Sequence, residues 1–95
     1  MEKMTLEQLQ TKLPELADWS LVGDDALQRT YRFENFIEAI AFVNRVAELA
    51  EELQHHPDIM IRYNKVTLTL STHDAGGVTE KDFNFAHTAD DHVTA

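Results

Sequence analysis

The segment between Asn35 and Pro57 constrains this chain more than any other. Phe36, Ile40, Val43, Ala47 and Ala50 recur at helical spacing, beside a second row of Ala39, Phe42, Val46, Leu49 and Leu53. The two rows merge into one broad apolar stripe, which is the signature of a helix packed on a core and gives no reason to read a cofactor groove. Asn35 is placed to cap this helix, with Glu38 at its third position. Pro57 bars the α conformation at the residue before it, so the helix is expected to end by about His55 or His56. A stripe this wide needs other elements to cover it.

The flanks supply them. Thr5, with Gln8 three residues on, forms a capping box for a short helix to about Leu13, which Pro14 stops or redirects. Trp19, Leu21 and Val22, then Gly23-Asp24-Asp25, then Leu27 to Phe33 predict a hairpin. In its second strand Leu27, Arg29, Tyr31 and Phe33 share one side, and Gln28, Thr30 and Arg32 the wetter one. After Pro57, Asp58–Arg62 and Lys65–Leu70 form a second hairpin around Asn64, with Val66, Leu68 and Leu70 alternating against Thr67, Thr69 and Ser71. Gly76-Gly77 marks a loop, and Thr79 to Asp82 is a capping box opening a last helix that buries Phe83, Ala86 and Val93. The order is α-β-β-α-β-β-α. Hairpins give an antiparallel sheet, so the expected class is α+β, a four-stranded antiparallel sheet with helices on one face. At 95 residues, residues 1–95 are expected to form one domain with one core.

Composition removes several function classes. A formal net charge of -9 with no basic stripe disfavours direct nucleic-acid binding. The chain has no cysteine, which excludes disulfides, thiolate metal sites and thiol nucleophiles. It shows no apolar run long enough for a signal peptide or membrane span, so no membrane association and a cytoplasmic location are expected.

Histidine titrates near neutrality, so clustered histidines are the first candidates for proton transfer. His55 and His56 fall at the C-terminus of the long helix, where the dipole favours positive charge, and Glu51 stands one turn before His55. His73 emerges where the fourth strand meets the Asp74-Ala75-Gly76-Gly77 loop, a common place for a functional side chain. Helix-terminal histidines are also ordinary caps, and spacing alone leaves both readings open. A metal site is disfavoured because adjacent His55 and His56 point in different directions and no His-x-x-x-His pair is present. His87 and His92 lie in a polar, fraying C-terminal segment and are assigned no role. Asp82 has two readings, an orienting partner for a histidine or the capping partner of Thr79, and the cap is favoured.

The residues form one pattern: Glu51, His55-His56-Pro57, Tyr63, His73 and Asp82. It resembles the pterin-4a-carbinolamine dehydratase family. The resemblance extends over Trp19, Phe33 to Phe42, Tyr63-Asn64-Lys65-Val66, Ser71-Thr72-His73-Asp74 and Gly77-Val78-Thr79, which is nearly the whole chain. It implies removal of water from 4a-hydroxytetrahydrobiopterin to give quinonoid dihydropterin, the recycling step after aromatic amino-acid hydroxylases, with no cofactor and no metal. It implies His55 and His73 as the acid–base pair, His56 holding the ring, and Glu51 orienting His55. Gln54, Ser71, Thr72 and Asp74 would join the histidines around the pterin, with Pro57, Tyr63 and Asp82 structural. Animal relatives commonly have aspartate where this chain has Gln54, which hydrogen-bonds but holds no charge. The resemblance also implies a homodimer or homotetramer. Its competing implication is an interaction module, since animal members act as dimerisation cofactors of a homeodomain transcription factor and other relatives assist protein assembly.

Overall fold

A computed structural model describes residues 2–94, and of Val93 and Thr94 the backbone only; the side chain of Val93, expected in the core, lies outside the described residues. Its elements are α1 (Leu6–Lys12), β1 (Ser20–Val22), β2 (Ala26–Arg32), α2 (Phe36–Leu53), β3 (Asp58–Arg62), β4 (Lys65–Leu70) and α3 (Glu80–Thr94). Two 3-10 turns, Leu13–Glu15 and His73–Ala75, complete the path. The strands form one antiparallel sheet in the order β1-β2-β4-β3. This is the expected α+β order, with helices over one face.

Local chemistry explains the element ends. Thr5 and Gln8 bond reciprocally at the start of α1, which runs into the 3-10 turn containing Pro14. Asn35 accepts the Glu38 amide at 2.9 Å to open α2. Gly23 adopts φ +63° in the β1–β2 turn, a conformation glycine enters without steric cost.

The helix-side face of the central strands carries Leu27, Tyr31, Val66, Leu68 and Leu70, all buried. They meet Ala39, Phe42, Val46, Leu49 and Ala50 of α2 and Phe83, Phe85, Ala86 and Ala89 of α3 in one hydrophobic cluster. The second apolar row of α2 is therefore core from Ala39 to Leu49, as its spacing predicts, while Leu53 at the helix end is 42% exposed. Of the first row only Ala50 is buried: Phe36 is 46% exposed, Ala47 is exposed, and Ile40 and Val43 are half-buried. A sheet of four strands does not wrap a cylinder, and the stripe is wider than the surface that covers it.

On the opposite face, Gln28, Thr69 and Asp58 lie in one cross-strand row at the end of the sheet nearest the C-terminus of β4. This open, polar end is the platform of the site described next. Strand β3 is an edge strand with all five residues exposed.

Candidate active site

The helix α2 stops at Leu53 because Gln54 turns into the left-handed region at φ +51° and its side-chain amide donates to the Glu51 carbonyl at 2.6 Å. His55 and His56 thus lie just beyond the helix rather than in its last turn. That reversal breaks the expected helical pairing of Glu51 with His55. Instead Glu51 Oε2 meets His56 Nε2 at 2.6 Å, in a pair exposed on both sides, so Glu51 contacts His56 and not the His55 expected of it. Gln54 is a helix cap and does not line the cavity.

His55 points inward. Its Nε2 lies 2.5 Å from Oδ1 of Asp82, whose side chain is fully buried while that of His55 is 11% exposed. The other oxygen, Oδ2, accepts the Thr79 amide at 2.8 Å and the Thr72 hydroxyl at 2.9 Å. Asp82 therefore fills both roles considered for it: it caps α3 and holds His55. A carboxylate oxygen accepts, so His55 Nε2 donates the hydrogen of this bond, and Nδ1 has no hydrogen-bond partner among the described residues. The Thr72 hydroxyl is thus held by Asp82, and Thr72 is not among the residues lining the cavity described next.

The cavity itself has a volume of about 270 Å³ and is lined by His56, Asp58, Thr69, Ser71 and His73. That is just below the roughly 300–1,000 Å³ usual for small-molecule sites, which limits a ligand held there to a compact one. Three segments converge there: the turn after α2, the paired ends of β3 and β4, and the 3-10 turn at His73. The His73 ring has no hydrogen-bond partner among the described residues and faces the cavity free. The Ser71 hydroxyl donates to the Asp25 carbonyl at 2.7 Å, so toward a ligand it only accepts. Asp74 is exposed and off the lining, and Tyr63 acts through its backbone, at φ +52° in the β3–β4 turn, with its ring 66% exposed. Pro57 leads into β3.

Two lining residues, Asp58 and Thr69, escape sequence reasoning. Alternation places Thr69 and Ser71 on one side of β4, but pairing of Asp58 with Thr69 depends on a register that the sequence does not display. Among the described residues no group of three or more His, Asp or Glu side chains is arranged to hold a metal. No described helix is long and apolar enough to cross a membrane.

Fold and site define a small α+β protein whose histidines, from two separated segments, border a polar cavity at one end of an antiparallel sheet. Residues 2–92 match the model of the pterin 4 alpha carbinolamine dehydratase family, and the chain belongs to that family. It is 57% identical over 89 residues to a provisionally named pterin-4-alpha-carbinolamine dehydratase 2 of Gloeobacter violaceus, covering 90% of this chain and 97% of that one. A similarly named protein of Thermomicrobium roseum is 65% identical over 74 residues, 78% of each chain. Among solved structures, a transcriptional coactivator/pterin dehydratase from Brucella melitensis superposes with a TM-score of 0.89 at 36% identity, over 94% of this chain and 96% of that one. A pterin dehydratase-like protein identified as a RuBisCO assembly factor in the alpha-carboxysome gives a TM-score of 0.66 at 25% identity, over 77% and 86%.

Proposed function

We propose that this protein dehydrates 4a-hydroxytetrahydrobiopterin, or a close 4a-hydroxytetrahydropterin, to the quinonoid dihydropterin and water, by histidine acid–base catalysis. The observation that carries the reading is the convergence of His56 and His73 on one cavity; His55, next in sequence to His56 though not itself on the lining, is clamped by buried Asp82. Loss of the 4a-hydroxyl as water takes up one proton, and formation of the C4a=N5 bond releases the N5 proton, so the reaction needs an acid and a base and no net proton. His73, free at the cavity, and His55, through Nδ1, supply this pair according to which ring face bears the hydroxyl. His56, braced by Glu51, holds the ring. The substrate class points to a place downstream of aromatic amino-acid hydroxylases, which generate the carbinolamine.

The test is the decay of freshly generated 4a-hydroxytetrahydropterin, followed by ultraviolet absorbance, against the spontaneous rate. Wild type is expected to accelerate it, with His55→Ala and His73→Ala each losing most of the acceleration, on the order of 10²-fold, while remaining folded.

A second reading is self-association. The β3 edge, with Ile59 36%, Met60 52% and Ile61 39% exposed, and Phe36 and Ile37 on the uncovered flank of α2 are apolar surface of the kind that copies of a chain bury. These surfaces support the homodimer or homotetramer, and they equally suit a non-catalytic dimerisation or assembly module on the same scaffold. Wild type that adds nothing to the spontaneous rate would favour that module.

A further inference from the structure

Asp58 is the one carboxylate on the cavity lining. It stands at the first position of β3, directly opposite Thr69, and its side chain makes no hydrogen bond or ion pair with any described residue. Its neighbours are already committed in part. Thr69 Oγ1 accepts from the Gln28 amide at 3.0 Å, the Ser71 hydroxyl donates its hydrogen bond to the Asp25 backbone carbonyl, and His56 is engaged by Glu51. The cavity therefore presents His73 as its free histidine and Asp58 as one free, strongly accepting group at its β3 side.

A 2-amino-4-oxo pyrimidine ring has an edge whose N3–H and 2-amino group donate in parallel. A carboxylate matches that fork with two hydrogen bonds, as it does a guanidinium, and such charge-assisted pairs are roughly twice as strong as neutral ones. We infer that Asp58 is a specificity-determining residue that grips the N3–H and 2-amino edge of the pterin, leaving the C4a–N5 end for the histidines. This rests on the dehydratase reading for the ligand class, but its test does not require turnover.

The experiment measures binding of 7,8-dihydropterin and of its 2-oxo counterpart to wild type and Asp58→Asn by ligand fluorescence, alongside the dehydration KM and kcat. The expected result is that wild type prefers the 2-amino ligand, and that Asp58→Asn weakens it about 10-fold or more while binding the 2-oxo ligand no worse. The asparagine offers one acceptor and one donor, which suits the 2-oxo edge better. KM should rise by a similar factor with kcat within about twofold. Equal weakening of both ligands, no change in either, or a fall in kcat at constant KM would overturn the inference. A wild type that shows the Asp58-dependent preference without accelerating dehydration would sink the dehydratase reading and leave this one standing. Because Asp58 is exposed and unpartnered, the variant is expected to fold, which circular dichroism verifies.

Discussion

At the scale of single residues, two carboxylates beside two histidines have unequal consequences. Asp82 is wholly buried and fixes His55 and two further donors, whereas Glu51 and His56 form a pair 75% and 59% exposed. Exposed pairs are worth about 0–1 kcal/mol, while a buried carboxylate that sets a histidine's tautomer commonly governs activity. Glu51→Gln should therefore change the dehydration rate by less than about threefold. Asp82→Asn, which keeps the cap acceptor but loses the charge, should lower kcat by about tenfold or more, measured with circular dichroism confirming the fold. The sequence shows all four residues but not who pairs with whom. Glu51 and His55 are one helical turn apart only if the helix persists, and the left-handed turn at Gln54 ends it first.

Among elements, α3 is locked to the sheet through a polar centre invisible to periodicity. Asp90 accepts from the Trp19 indole at 3.0 Å, from Arg29 at 2.8 Å and from the Tyr31 hydroxyl at 2.5 Å, joining α3 to the β1–β2 hairpin. The helix continues to Thr94, so the segment expected to fray is anchored three-quarters of the way along. Asp90→Ala leaves three donors short of an acceptor and should destabilise the fold by about 2–3 kcal/mol in urea unfolding. Burial and the adjacent Asp90 raise the Tyr31 phenol well above its usual value. The unfolded tyrosine then ionises first, so stability should be level up to about pH 10 and fall as pH rises beyond it. Tyr31→Phe should flatten that alkaline decline in a series of denaturant midpoints. The elements themselves were legible because periods of 3.6 and 2 are local and caps lie within a turn of what they cap. Asp90 was not, because its partners lie about sixty residues away in sequence.

For the whole molecule, the surface left uncovered is as informative as the core. The β3 edge and the outer flank of α2 are apolar yet exposed, and they are the surface that the proposed self-association would cover. Ile59→Lys combined with Ile61→Lys should shift sedimentation toward monomer while leaving the circular dichroism of the fold intact. The candidate cavity was half legible: the His56–His73 convergence follows the family pattern, whereas Asp58 and Thr69 required the β3–β4 register. The central claim, that the histidine cluster removes water from a pterin carbinolamine, is tested most directly by one rate: the decay of 4a-hydroxytetrahydropterin with wild type and with His73→Ala. Acceleration by wild type that His73→Ala largely abolishes is the predicted result. Decay at the spontaneous rate with wild type, or undiminished acceleration by His73→Ala, would contradict it.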